Sequence, residues 1–136
     1  MAESATQALQ ERKTSGIEWA GRILTGLISL MLLMSVFMDL THSPVAVKGL
    51  QDAHYPLASM TWIGLALLLG VVLYAFPRTA ILGAIILTGY MGGAVATHVQ
   101  AGNQIPQMCF AIFFGMLIWL GIWLREPRLR ALLPLR

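Results

Sequence analysis

The sequence predicts an all-α integral membrane protein with four transmembrane helices in an antiparallel bundle. Of its 136 residues, 57% are hydrophobic and 11% are charged, whereas a soluble domain carries roughly 25% charged residues. The apolar residues fall into blocks close to the ~20 residues that a membrane-spanning helix needs, over 23–38, 57–76, 79–99 and 107–124. Eight of the nine lysines and arginines lie on one side of this layout, and all three histidines lie on the other.

The positive charges predict the orientation of the bundle. Short cytoplasmic loops of membrane proteins collect lysine and arginine. This explains the net charge of +3 better than nucleic-acid binding, because the cations are not gathered on one soluble face. The residues assigned to the cytoplasmic side are Arg12, Lys13, Arg22, Arg78, Arg125, Arg128, Arg130 and Arg136, and Lys48 alone lies outside. We therefore expect both termini in the cytoplasm, with a polar leader at 1–16, a membrane domain at 17–125 and a basic tail at 126–136.

A short outer helix is expected between spans one and two. Span one should end near Ser43, because the residue before Pro44 avoids the helical region. Pro44 suits the first position of a new helix, and Ser43 suits its N-cap. We predict a lid helix over residues 45–53, closed off by Pro56, with one face turned toward the bundle. At i, i+3 and i+7 spacing, that face carries Val47, Leu50 and His54.

Span three combines a packing face with a polar face. It follows the tight Pro77-Arg78 turn, which predicts an antiparallel hairpin with span two. Two pairs of small residues at i, i+4 spacing let helices approach closely in lipid, and these are Gly89 with Gly93, and Gly92 with Ala96. The opposite face offers polar groups, and its residues are Tyr90, Ala94, Thr97 and His98. Span four holds the single cysteine, Cys109, which we expect to be a small buried hydrophobe.

The ionisable residues of the outer half define the candidate site. Asp39 and His42 are three residues apart, so their side chains can meet on one face of span one, while His98 ends span three. Ionisable residues within a membrane segment are functional candidates by default, and a carboxylate beside an imidazole suits proton transfer. We predict catalytic roles for Asp39, His98, His42 and His54, and substrate contacts from Tyr90, Thr88, Thr97 and Asn103. The alternative for His42 and His54 is that they reach headgroups or water without a chemical role.

No cofactor motif stands out. A lone cysteine excludes an intrachain disulfide and a C-x-x-C motif, and no two histidines have the i, i+4 spacing of a familiar metal-binding helix. We therefore predict no metal and no resident cofactor, with a quinone or a histidine-ligated haem as alternatives. The expected partners are the lipid bilayer and a small lipophilic ligand. A homo-oligomer or a membrane redox partner remains open, and no nucleic acid is expected.

Two segments of the sequence resemble the DoxX-like family of small bacterial membrane proteins. The first is residues 74–98, which includes the run Thr88-Gly89-Tyr90-Met91-Gly92-Gly93, and the second is the tail at 123–136. The resemblance extends over roughly residues 20–136 and implies a four-helix bundle in the bacterial cytoplasmic (inner) membrane. The family positions that it carries over are Asp39, Gly83, Thr88, Gly89, Tyr90, Gly93 and His98.

The resemblance implies little about the chemistry. The family's name comes from a subunit associated with thiosulfate:quinone oxidoreduction, and other relatives are linked to membrane redox complexes, but most of the family is uncharacterised. In the family pattern a lysine commonly lies near His42, and a Leu-Gly-Tyr-Pro run stands where this chain has residues 53–56, which include His54. These two departures favour a specialised activity in this chain.

Three functions are compatible with the sequence. The first is a membrane-embedded enzyme that isomerises, cyclises or hydrates a small lipophilic molecule by acid–base chemistry at the outer mouth of the bundle. The second is a quinone-binding or redox subunit of a membrane oxidoreductase complex. The third is a non-catalytic membrane scaffold, for which the glycine face of span three would matter more than the histidines.

Overall fold

The computed structural model describes residues 1–102 and 105–133, except for the side chains of residues 12–14. Within these ranges the chain is helical and contains no strand. The helices are α1 (Ala2–Leu40), α2 (Pro44–Asp52), α3 (Ser59–Ala75), α4 (Ala80–Gln100), α5 (Ile105–Arg125) and α6 (Pro127–Leu132). The all-helical class predicted from the sequence is confirmed, and α1 runs without a break from the leader through the first apolar block.

The long helices have the composition of membrane spans. Among the described residues, α1, α4 and α5 are long and apolar enough to cross a bilayer, and α3 is apolar but has 17 residues. Large apolar side chains also cover the outside of the molecule. Leu30, Met34 and Phe37 of α1, for example, are 66%, 62% and 62% exposed. An apolar exterior of this extent would be unstable in water, and it fits the hydrocarbon of a membrane.

The four long helices pack around one shared core. α1 contacts α3 and α5, and α4 contacts the same two helices, while α2 lies against α1 and α6 against α5. The core draws side chains from all four long helices, and its largest members include Ile28, Leu32, Leu67, Tyr74, Leu87, Phe114 and Ile118. We name the two ends of this bundle by what they carry. The turn half contains the α3–α4 turn and the α5–α6 junction, and the lid half contains α2.

Tyr74 is the centre of the turn half. It is fully buried, and its hydroxyl donates a hydrogen bond of 2.9 Å to the carbonyl oxygen of Ile118 in α5. From the other side, Nη2 of Arg125 donates to the Tyr74 carbonyl oxygen at 3.3 Å. A Cβ atom at Gly121 would lie 2.8 Å from the Tyr74 hydroxyl, so the missing side chain at Gly121 makes room for the phenol.

Glycines also let the helices of the turn half approach one another closely. A Cβ atom at Gly21 in α1 would lie 2.5 Å from the backbone nitrogen of Arg125 in α5. A Cβ atom at Gly83 in α4 would collide with the backbone of Tyr74 in α3. Both contacts are between backbones, which cannot move aside as a flexible side chain can. These positions therefore need glycine for steric reasons.

The predicted packing role of the small residues in span three is wrong for contacts within the chain. No atom lies within 4 Å of a Cβ atom built at Gly89, Gly92 or Gly93. The i, i+4 pattern indicates that a helix face permits close approach, but it does not say which face meets a neighbour. The expected burial of Cys109 is also wrong, because its side chain is exposed. Hydropathy places this residue in an apolar helix but does not say whether it faces the core or the lipid.

The substitution Gly83→Ala should destabilise the protein, whereas Gly89→Ala should not. Both changes gain up to ~1 kcal/mol of helix propensity, but only the first adds an overpacking penalty of about 1–3 kcal/mol against the Tyr74 backbone. Thermal unfolding of the detergent-purified variants, followed by circular dichroism, measures the difference. Equal melting temperatures for the two variants would contradict the close α3–α4 contact.

Candidate functional site

The lid helix forms for the local reasons that the sequence indicates. The Ser43 Oγ accepts a hydrogen bond from the backbone N–H of Ala46 at 3.3 Å, and Pro44 occupies the first turn. His42 and His54, on either side of this helix, have φ angles of 52° and 60°. Histidine is among the residues that adopt this left-handed region more often than most. Each of the two residues reverses the chain where it enters or leaves the lid.

The face that the lid turns toward the bundle differs in part from the prediction. Val47 and Leu50 are half-buried as expected, and Ala46 joins them. The anchor at the end of this face is Ala53, which is 1% exposed, and not His54. Because the helix ends at Asp52 and His54 is left-handed, the i+7 register no longer holds at position 54, and its side chain is exposed.

Beneath the lid is a cavity of about 470 Å³, which we call the lid cavity. Its size falls within the ~300–1,000 Å³ typical of small-molecule sites. It lies between α1, α2, α3 and α4. Its lining consists of Asp39, Ala46, Gly49, Leu50, Tyr55, Met60, Ile63, Tyr90, Gly93, Ala94, Thr97 and His98.

The lid cavity brings together four of the residues selected from the sequence. Asp39 is half-buried in the last turn of α1, and its charge is close enough to Tyr90 for an electrostatic interaction. Tyr90, Thr97 and His98 line the cavity from α4, where i, i+7 and i+8 spacing places them on one face. The Thr97 hydroxyl donates to the Gly93 carbonyl oxygen at 2.9 Å. One carboxylate, one imidazole and two phenols, those of Tyr55 and Tyr90, therefore share a largely apolar chamber.

Gly64 fixes the position of Asp39 against α3. A Cβ atom at this glycine would lie 3.1 Å from the Asp39 Cβ and 3.2 Å from the Leu40 side chain. The end of α1 can therefore lie directly on α3 and turn the carboxylate toward the cavity. Sequence reasoning missed this role, and it also missed Met60 and Ile63 as lining residues. An apolar block carries no signal that separates a lining residue from a core residue.

The other predicted site residues lie elsewhere. His42 is exposed, with Nδ1 3.2 Å from the Leu40 carbonyl oxygen, and neither His42 nor His54 lines the lid cavity. The Thr88 hydroxyl accepts a hydrogen bond of 2.8 Å from Nε1 of Trp119, so it links α4 to α5. Asn103 lies outside the described residues. The three histidines share one end of the molecule but do not share one chamber.

A second, smaller chamber adjoins the lid cavity. This side cavity has a volume of about 200 Å³. It shares three lining residues with the lid cavity, namely Tyr90, Ala94 and His98. The rest of its wall comes from Met31, Leu32, Ser35, Leu67, Met91, Gln107, Phe110, Ala111 and Phe114. The lid cavity therefore adjoins a second, mostly apolar space between α1, α4 and α5.

The site has the groups for acid–base chemistry and for holding a polar atom. Among residues 1–102 and 105–133, no group of three or more His, Cys, Asp and Glu side chains is arranged to hold a metal ion. Asp39 and His98 are both able to carry or release a proton, and the Tyr90 hydroxyl is able to donate a hydrogen bond. The remaining walls are mostly apolar.

The fold and the cavity define a helical membrane protein with a ligand-sized chamber under a lid. The family model of the DoxX-like family matches residues 23–121, which covers α3 and α4 in full, α1 from Ile23 onward and α5 up to Gly121. The chain belongs to the DoxX-like family and is a multi-pass membrane protein. Comparison with curated proteins and with solved structures gives no match.

Replacing Ser43 with alanine should loosen the lid without affecting the turn half. Loss of an N-cap costs about 1 kcal/mol, which is roughly a fivefold increase in local opening. Hydrogen–deuterium exchange of the detergent-purified protein should therefore become faster in residues 44–52. Exchange in residues 115–122 serves as the internal control and should stay unchanged. Uniformly faster exchange in both segments would show that the cap supports the whole bundle and not the lid alone.

Proposed function

We propose that this protein is a membrane-embedded enzyme that acts on a small lipophilic molecule by acid–base chemistry. Isomerisation, cyclisation and hydration are the reactions that suit its groups. The observation that carries the proposal is the lid cavity, where Asp39, Tyr90 and His98 meet inside an otherwise largely apolar wall. Ionisable groups are costly at membrane depth, and three of them around one ligand-sized space are better explained by chemistry than by packing.

In the proposed reaction Asp39 and His98 exchange protons with the substrate. For an isomerisation or a cyclisation, one group removes a proton from carbon and the other returns a proton at a second carbon, so the substrate's atoms are conserved. For the hydration of an epoxide, a water oxygen bonds to carbon as the ring C–O bond breaks, and the ring oxygen takes up a proton. Tyr90 would hydrogen-bond the substrate oxygen. The lid and the apolar wall would keep bulk water away.

We further propose that all four long helices span the bacterial inner membrane, with both termini in the cytoplasm. At 1.5 Å per residue, the 17 residues of α3 extend about 25 Å, and the flanking apolar residues supply the rest of the ~30 Å hydrocarbon layer. Arg22, Arg78 and Arg125 would then lie on the cytoplasmic side. The lid cavity would face the periplasm.

A quinone site is the second candidate. The Tyr90 and His98 side chains could each bond a quinone oxygen, while Leu50, Met60 and Ile63 line the rest of the same cavity with apolar surface. In this case the protein would be a redox subunit, and the quinone would take up or release two hydrogen atoms in exchange with a partner. The two candidates differ in the mass change of the ligand, which makes them separable in one assay.

Asp39→Asn and His98→Ala should abolish turnover, while His42→Ala and His54→Ala should retain it. Proteoliposomes are incubated with an organic extract of bacterial membranes, and the products are compared by liquid chromatography and mass spectrometry. A product with the mass of its precursor, or heavier by one water, supports the acid–base enzyme. A product that differs by two hydrogens supports the quinone candidate. Equal product formation by wild type, Asp39→Asn and His98→Ala would refute the catalytic roles.

Gly93→Leu should block the site, and Gly89→Leu should not. Both glycines have open space at the Cβ position, but only Gly93 lines the lid cavity, so a leucine side chain at position 93 would occupy part of the chamber. A scaffold that uses the glycine face for packing predicts equal damage from both variants. Loss of turnover in Gly93→Leu alone, with both variants monodisperse in size-exclusion chromatography, would separate the enzyme from the scaffold.

A further inference from the structure

We infer that the substrate reaches the lid cavity sideways from the bilayer, through an opening between α1 and α5. The substrate class that fits this route is an amphiphile with one oxygen-bearing head and an apolar tail. The head lies in the lid cavity, and the tail lies in the side cavity with its end toward the lipid. This inference rests on the proposed function of the lid cavity and specifies its substrate.

The two cavities lie side by side. They share Tyr90, Ala94 and His98 as lining residues, so the side chains that would act on the head also form the boundary with the tail. Ala94 carries only a methyl group at this boundary. A molecule bound at His98 therefore has apolar space directly behind it.

The side cavity has a closed back and an open front. Leu32, Leu67 and Phe114 form its buried back wall, with exposures of 4%, 0% and 6%. At the front, Met31 of α1 and Phe110 of α5 are 54% and 60% exposed. Ser35 and Gln107, which also line the side cavity, are exposed as well. The opening therefore lies between α1 and α5, where the flanking surface is apolar and faces lipid.

The route from water is less favourable. The lid covers the lid cavity with Ala46, Gly49 and Leu50, its first turn is capped by Ser43, and Ala53 anchors its end. Both cavities are partly open, so the two routes differ in what lies outside them, which is water at the lid and the apolar surface of α1 and α5 at the side opening. A lipophilic molecule is also concentrated in the bilayer and not in water.

The volume of the side cavity limits the length of the tail segment that fits inside it, but it does not limit the total length of the tail. At about 200 Å³ it exceeds the ~150 Å³ engineered cavity that binds benzene. It therefore holds a segment of about six carbons, and a longer tail continues through the front into lipid. Long-chain or isoprenoid alcohols, ketones and epoxides have this shape.

The test uses photolabelling in phosphatidylcholine vesicles. The probes are hexadecanol and butanol derivatives that carry a diazirine next to the hydroxyl-bearing end. Met31→Trp and Met34→Trp form a matched pair, since both methionines are exposed on α1 but only Met31 lines the side cavity. Met31→Trp should lower hexadecanol labelling of the lid cavity roughly tenfold, and Met34→Trp should match wild type. Phe110→Ala, which widens the opening, should raise hexadecanol labelling of the lid cavity.

Each outcome decides the route. If Met31→Trp and Phe110→Ala both label as wild type does, or if the butanol derivative labels the lid cavity better than the hexadecanol derivative, the side opening is overturned.

Asp39→Asn separates this inference from the proposed function. It should lose turnover and keep the label, because the asparagine amide has the size and polarity of the carboxylate but cannot exchange a proton with the substrate. If turnover depends on Asp39 but labelling does not change in Met31→Trp, the proposed enzyme activity stands and the lateral route is refuted. If labelling follows the expected pattern but wild type shows no turnover, the lateral route stands and the proposed enzyme activity is refuted.

Discussion

The Tyr74 hydroxyl lies inside an apolar bundle, where no water is available to satisfy it. An unpaired buried hydroxyl costs roughly 1–3 kcal/mol, so its hydrogen bond to the Ile118 carbonyl oxygen constrains the elements around it. α3 must hold the phenol opposite α5, and α5 must carry a glycine at position 121 to admit it. Gly83 brings α4 onto the same segment of α3, and Arg125 binds the Tyr74 carbonyl oxygen. One buried phenol thus fixes the relative positions of three helices.

The lid half obeys a different constraint. Its helices border two cavities, and Gly64 lets the end of α1 lie close to α3. This contact places a carboxylate beside a phenol and an imidazole on α4. The tight turn half supplies the rigidity that such an arrangement needs, because catalytic groups must be held to within about 0.5 Å by the scaffold. The lid half is therefore positioned by the turn half.

Local sequence signals predicted the local structure well. Hydropathy located the four apolar helices, and the Ser43-Pro44 pair located the lid, because caps and apolar runs act over a few residues. Asp39, Tyr90, Thr97 and His98 were identified from ionisable or polar character at one depth. The partners of the glycines, the exposure of Cys109 and the outward turn of His54 depend on helix rotation and on contacts distant in sequence. A single sequence contains no measure of helix rotation or of contacts between distant residues, so the lid cavity itself was not predictable.

Two buried-backbone contacts, at Gly21 and Gly83, lie far from every residue that lines the lid cavity. Folding and ligand choice are thus assigned to different residues of one small bundle. Exchanges among Gly49, Leu50, Ile63 and Ala94 alter the shape of the chamber and leave the Gly21 and Gly83 contacts in place. A bundle divided in this way can acquire a new ligand through a few substitutions and keep its stability while doing so. The scaffold is therefore well suited to divergence in substrate among proteins that share it.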